Sequence, residues 1–188
     1  METKKHLLSA IVNRWSPFSF SDLAIPKDKI KLLFEAARLA PSSFNEQPWI
    51  FVVAAKDDHK AYAAFAQFLH DTPRKWATEG YLLVVVLAKT KYSHNGEPYY
   101  HSLYDTGMAV ENLCLQAASM GIFVHQINEF STEAVAQYLD IDDTVVPVTM
   151  MAVGYLGYPT EVDETRRSRR PLHDFVFTKK MGEPFKFE

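Results

Sequence analysis

The apolar positions of this chain change period several times, and each change marks an element. Leu7, Leu8, Ile11 and Val12 share one helical face and predict a first helix over about residues 3 to 13. Asp22 to Pro26 reads as a turn. Ile30, Leu33, Phe34 and Ala37 follow the i, i+3, i+4, i+7 spacing of a second helix, which Pro41 ends. Trp49 to Ala55 reads as a strand. Asp57 opens a helix carrying Tyr62, Phe65, Phe68 and Leu69, and a short helix is expected over Arg74 to Glu79. Tyr81 to Ala88 is an unbroken, β-branched apolar run, which predicts a buried strand. Lys89 to Tyr100 is a polar loop that turns at His94-Asn95-Gly96. His101 to Met120 is the longest predicted helix, closed by Gly121. Its apolar residues, among them Leu103, Met108, Val110, Leu113 and Met120, occupy more than one face. Such a helix sits at the centre of the domain or meets a partner subunit. Ile122 to Gln126 is a short strand, Ser131 to Leu139 a helix, and Val145 to Tyr155 a strand entered through Pro147. Residues 158 to 188 show little periodicity and read as an arm that packs elsewhere.

Helices outnumber strands, and the alternation is not strictly βαβ. An α+β fold follows, a single domain over residues 1 to 188 with helices on both faces of a small mixed or antiparallel sheet. No G-x-G-x-x-G follows a strand, so a Rossmann dinucleotide domain is not expected. P-loop and G-x-S-x-G signatures are also missing from the sequence.

Composition narrows the function classes. A hydrophobic content of 47% is enough to fill a core, and a net charge of -3 gives no reason to expect nucleic acid or an acidic membrane as partner. The longest apolar run is far shorter than a membrane span, and the N-terminus lacks a signal-like apolar core. The single cysteine, Cys114, suits a reducing compartment and lies among apolar residues, so it reads as core. These features point to a soluble, cytoplasmic protein. Histidines are scattered; Tyr99, His101 and Asp105 could share a face, but no metal site is expected.

The densest chemistry lies in Ala40-Pro41-Ser42-Ser43-Phe44-Asn45-Glu46-Gln47-Pro48-Trp49, between a helix and a strand. Hydroxyls, an amide and backbone donors crowd one short loop, and two prolines restrict its ends. A loop of this kind suits a rigid ligand with polar edges, although an ordinary helix-strand connector with serine capping has the same composition.

This block resembles the A-P-S-S-x-N-x-Q-P-W signature of the FMN-dependent nitroreductase family, and every fixed letter is present. Further segments occur in the family's order: Arg14-Trp15-Ser16-Pro17, Tyr104-Asp105-Thr106-Gly107, His125 to Phe130, Val153-Gly154-Tyr155, and Arg167-Ser168-Arg169-Arg170-Pro171-Leu172. The resemblance covers nearly the whole chain. It implies a nitroreductase-like three-layer fold in an intertwined homodimer. The long helix would lie in the interface, and the C-terminal arm would add a strand to the partner's sheet. It also implies bound FMN, NADH or NADPH as transient electron donor, and ping-pong transfer to a small electron-poor acceptor such as a nitroaromatic or quinone. No catalytic acid or base is implied.

Residue by residue, the resemblance implies that Arg14, Arg167 and Arg169 hold the FMN phosphate and that Trp15 and Ser16 line the flavin. Pro41, Ser42, Ser43 and Asn45 would reach the flavin of the other subunit. Gln126, Ile127, Asn128 and Glu129 would pass near its N5 and O4 edge. On chemistry alone, Arg14 also reads as a helix C-terminal cap, and a solvated charged edge is the leading reading of the basic tail. Tyr99, Tyr100 and Tyr104 are candidates for a substrate roof. Two positions depart from the family pattern. Phe18 stands where relatives carry Arg or Lys, and Pro73 where they often carry Asn, both near the flavin's N1 and O2 edge. Arg74 or Lys75 could supply the missing cation. These departures motivate an alternative, a flavin-binding redox sensor or FMN carrier without efficient turnover.

Overall fold

A computed structural model describes residues 6–158 and 168–187 of the chain. Among these the order is α1 (Ser9–Asn13), α2 (Lys27–Arg38), a 3-10 turn (Ser43–Asn45), β1 (Trp49–Ala55), α3 (His59–Phe68), α4 (Asp71–Ala77), β2 (Leu82–Lys89), α5 (Ser102–Ser119), β3 (Ile122–Ile127), α6 (Thr132–Leu139), β4 (Val145–Tyr155) and a second 3-10 turn (Leu172–Asp174). The strands form one sheet in the order β1-β2-β4-β3, and every neighbouring pair is antiparallel.

Strand β2 explains the layering. Leu82 through Ala88 are all buried, because alternate residues serve two separate cores. Leu82, Val84 and Val86 pack with Leu33 and Ala37 of α2 and Leu113 and Ala117 of α5. Leu83, Val85 and Leu87 face the other way, toward Tyr62, Phe65 and Phe68 of α3 and Val135 of α6. This is the expected α+β architecture with helices on both faces. Pro147 lies opposite Leu87, next to the shift of the β2–β4 register between Val86 and Leu87, an irregularity of the kind that admits a proline in a strand. The β3–β4 pairing ends at Ile127 and Met150, short of the proline.

Several boundaries differ from the sequence expectation. Of the first predicted helix, residues 3–5 lie outside the described residues, and α1 is described over Ser9–Asn13. Helix α4 spans Asp71–Ala77 and not residues 74 to 79, because Pro73 sits in its first turn, where backbone N–H groups have no intrahelical partner. Helix α5 is buried on two sides, against the sheet and against α2, and leaves one stripe open: Leu103, Tyr104, Gly107 and Glu111 are exposed. Of the expected arm, residues 168–187 are described. They form a small hairpin closed by a Phe177–Pro184 bridge, and their recorded hydrogen bonds stay within the segment. Among the described residues, no helix is long and apolar enough to cross a membrane.

Candidate functional site

Two groups of the expected site residues stand on opposite parts of α5. The first is the segment after α1. Phe20 forms a bridge with Leu156 beyond the end of β4, and a Cβ at Gly154 would come within 2.9 Å of the Phe20 ring. That close approach lays residues 14–20 across the sheet end beside β3. Trp15 meets Phe123 edge-on at 5.6 Å. The Pro17 carbonyl lies 2.7 Å from Nδ1 of His125, which must donate because a carbonyl only accepts. Arg14 follows α1 as its C-cap, its N–H donating to the Ala10 carbonyl at 2.9 Å. Its guanidinium is close enough to Cys114 to oppose the rise of the thiol pKa. Burial foremost, with Glu111, nonetheless pushes that pKa up to about 12. Gln126 completes this corner, with Nε2 at 4.0 Å from the Cys114 sulfur. Cys114 is therefore an inert core thiol, as its sequence neighbours suggest.

The second group is the loop from Pro41 to Gln47. Phe44, Asn45 and Gln47 all have left-handed backbones, with φ of 53°, 57° and 51°. This conformation is costly for a residue such as Phe44. The loop is held from several directions. The Ser43 N–H donates to Oδ2 of Asp105 at 2.8 Å. The Gln47 N–H donates to Ser42 Oγ at 3.0 Å, which leaves that hydroxyl its own proton to donate. Tyr99, which is buried, also donates to Asp105. Burial first, and then the Asp105 carboxylate, raise its phenol pKa. Tyr99 stacks on Tyr92 at 4.1 Å, and the Tyr92 hydroxyl lies 3.3 Å from Ser43 Oγ. Phe44 is left 82% exposed and faces Tyr92 and His94. A hollow of about 480 Å³ opens here between Phe44, Asn45, Glu46, Ser93 and His94.

Glu46 ties this loop to the 89–99 loop. Its carboxylate accepts from the Ser93 N–H at 3.0 Å and from the Ser93 hydroxyl, with Lys89 at 3.6 Å. The Ser93 hydroxyl, more than any other group, holds the Glu46 pKa below the usual carboxylate range. A folded pKa below the unfolded one stabilises the fold above the ordinary carboxylate pKa, and the gain disappears as pH falls through the lowered value. Wild-type protein should therefore melt above Glu46→Gln at neutral pH, and the gap should close toward acid. Melting curves across the carboxylate range check this.

The other expected positions are placed as follows. Ser16, Ser42 and Ser43 are half-buried; Pro41, Asn45, Gln126, Asn128 and Glu129 are exposed. Ile127 is buried, so only its backbone could face a ligand, and its carbonyl already accepts from Thr149 Oγ1 at 2.9 Å. The Glu129 carbonyl accepts from the His70 N–H at 3.1 Å, which pins this stretch to the start of α4. Arg169 is exposed and donates to the Ser168 carbonyl at 3.0 Å, whereas Arg167 lies outside the described residues. Asp105 and Cys114, which mark the two groups, are nine positions apart on α5, about 13 Å along its axis.

Three expectations change. Tyr99 cannot roof a substrate, because it is buried with its hydroxyl engaged; Tyr100 and Tyr104 are exposed. Arg74, one candidate for the missing cation, is engaged at the end of α3. Its guanidinium donates to the Ala66 carbonyl at 2.9 Å and to the Leu69 carbonyl, closing the C-terminal end of α3. The group that meets Phe18 is instead aromatic: Trp76 lies edge-on at 5.1 Å and His125 at 4.7 Å. Sequence reasoning joined neither Trp76 nor His125 to Phe18, because no spacing or motif links positions 18, 76 and 125 before the chain folds.

The nitroreductase family model matches residues 11–86 and 70–155. A protein of Archaeoglobus fulgidus named "Putative NADH dehydrogenase/NAD(P)H nitroreductase" is 32% identical over 154 residues, which cover 79% of this chain and 84% of that protein. Among solved structures, an oxidoreductase containing FMN superposes with a TM-score of 0.87 at 29% identity, covering 94% of this chain and 93% of the other. A nitroreductase family protein from Clostridium difficile shares the fold with a TM-score of 0.76 at 18% identity, covering 94% of this chain and 99% of the other.

Proposed function

The chain belongs to the nitroreductase family, and we propose that it is an FMN-dependent oxidoreductase. In this reading it takes electrons from NADH or NADPH and passes them to a small electron-poor acceptor such as a nitroaromatic or quinone, in ping-pong order. The observation that carries the reading is the 41–47 loop. Three left-handed non-glycine residues are held in place there while the Ser42 hydroxyl and the Asn45 side chain remain available at the surface. Fixed donors on a strained, over-determined loop are features of a ligand site. The donor set fits FMN: a hydroxyl and an amide for ring edges, and Arg14 with Arg169 for a phosphate. The likeness to an FMN-containing oxidoreductase at 29% identity supports the same cofactor.

Bound FMN supplies the two-electron chemistry. The chain's contribution is position and electrostatics. Arg14 and Arg169 would hold the phosphate, Ser42, Ser43 and Asn45 would orient the ring, and backbone groups from Gln126 to Glu129 would lie along its reactive edge. The two groups are separated along α5, which supports a site completed by a second copy of the chain. In that homodimer the exposed stripe of α5 would be covered.

A second reading, a flavin-binding sensor or carrier, draws on the Phe18–Trp76–His125 cluster, since aromatic rings surround the position where the resemblance implies a cation. Both readings meet one experiment. The purified protein should show a flavin absorbance spectrum, acid should release FMN and not FAD, and NADH or NADPH should bleach the spectrum anaerobically. Turnover with menadione selects the enzyme; bleaching without turnover selects the sensor; absence of flavin after reconstitution sinks both.

The same cluster predicts a shifted potential. Reduction places negative charge at the flavin's N1 and O2 edge. A unit charge about 4 Å away contributes on the order of 4 kcal/mol at an effective dielectric near 20, before its own desolvation is subtracted. With a net gain of about 1–2 kcal/mol, Phe18→Arg should raise the two-electron midpoint by roughly 20–45 mV. Lys75→Ala is the control, because Lys75 is the exposed cation remaining on α4. An unchanged potential in Phe18→Arg with a drop in Lys75→Ala would move the cation to α4.

A further inference from the structure

We propose that Asp105 is the positioning residue of the ligand-facing loop: from the first turn of α5, its carboxylate holds residues 42–47 in the strained shape that presents their donors. The ligand consequence rests on the reading above that this loop serves FMN.

Asp105 is 3% exposed and its side chain can only accept when ionised. Its recorded partners are two neutral donors, the Ser43 N–H at 2.8 Å and the Tyr99 hydroxyl. Hydrogen bonds to an ionised acceptor are stronger than neutral ones, and the N-terminal turn of a helix favours an anion. The carboxylate therefore reaches the loop by two routes. One is direct, through the Ser43 backbone. The other runs through Tyr99, which stacks on Tyr92, whose hydroxyl lies 3.3 Å from Ser43 Oγ.

The place of attachment matters. Ser43 immediately precedes Phe44, the first of the left-handed residues and the one least suited to that conformation. Such a backbone persists only where surrounding contacts over-determine it. The loop's own hydrogen bonds, Asn45 N–H to the Ser42 carbonyl at 3.0 Å and Glu46 N–H to the Ser43 carbonyl at 3.1 Å, close the turn but do not attach it to the body. Asp105 attaches it to α5, whose inner face belongs to the sheet core. Asp105 touches no reacting atom in this scheme; it acts through Ser43.

The test compares wild type, Asp105→Asn and Tyr99→Phe. Amide hydrogen exchange at residues 43–47 is measured in the apoprotein, FMN affinity by titration, and the bound flavin's environment by visible circular dichroism. Asparagine keeps the shape and one carbonyl acceptor but loses the charge. In Asp105→Asn, exchange should accelerate and FMN affinity should fall, each by about tenfold, with an altered dichroism spectrum. Tyr99→Phe should give a smaller change of the same kind. A purely structural role would lower the melting temperature and leave the spectrum and the affinity of the folded fraction unchanged; that result overturns the proposal. Unchanged exchange in both variants also overturns it. Wild-type protein that binds no flavin refutes the functional reading alone, and the exchange data then decide the role of Asp105 on their own.

Discussion

Leu113→Asp should leave no folded protein, whereas Leu103→Lys should leave a folded chain that stays monomeric in place of the homodimer proposed above. Both residues lie on α5 and both are leucines, so sequence alone gives no reason to separate them. Leu113 is 1% exposed and packs in the core between the sheet, α2 and α5. Losing its burial costs about 1.5–3 kcal/mol, and an unpaired carboxylate in that core costs several more. The sum reaches the roughly 5–15 kcal/mol that holds an ordinary domain folded. Leu103 is 56% exposed on the open stripe of α5, beside Tyr104 at 71%. Leu7, Leu8 and Ile11 are exposed on the neighbouring α1 segment. In the proposed homodimer this stripe is the covered face, and a lysine at its N-terminal end would be desolvated on association. Circular dichroism melts read the first variant, and equilibrium sedimentation reads the second. A dimer that survives Leu103→Lys would show that the stripe is not where copies meet.

Arg14→Ala and Arg169→Ala should each weaken FMN by about 1.5–3 kcal/mol, from about tenfold to more than a hundredfold, as expected for loss of a hydrogen bond to a charged group. For Arg14 the competing role is stabilisation of a helix end. That is worth less, about 0.3–1 kcal/mol, and α1 has only five residues. The two roles separate experimentally. Titration of the apoprotein reports the flavin contact, and the melting temperature without flavin reports the cap. Arg14→Lys should recover only part of the FMN affinity, because an ammonium lacks the guanidinium's paired donors. A normal FMN affinity in Arg169→Ala would place the phosphate elsewhere, and the corner formed by Arg14, Cys114 and Gln126 would be the place to search.

How much of this was legible in the chain depended on the range of the interaction. Period and punctuation marked the strands well. Trp49–Ala55 and Val145–Tyr155 occur with the expected bounds, and the run from Tyr81 forms the expected buried strand. The signal of the run from Tyr81 is local, because a strand buried on both faces must be apolar at every position. The A-P-S-S-x-N block was also visible, with Pro41 and Pro48 at its ends. The short helix near Pro73 starts before the apolar pattern predicts, because its start depends on where unsatisfied N–H groups fall, and the pattern does not record that.

What the sequence by itself determined is the order of elements, the α+β class, the family resemblance and the identity of the polar loop. Only the tertiary structure decided which side of α5 is core and which is open. It also showed that Arg74 closes α3, that Tyr99 is buried against Asp105, and that Phe18 meets Trp76 and His125. The physical reason is the same in each case. A side chain's chemistry is local, but its partner is chosen by the packing of segments far apart in the chain. A cation, a phenol or a ring acquires its role only when that packing determines what lies within hydrogen-bonding or van der Waals reach.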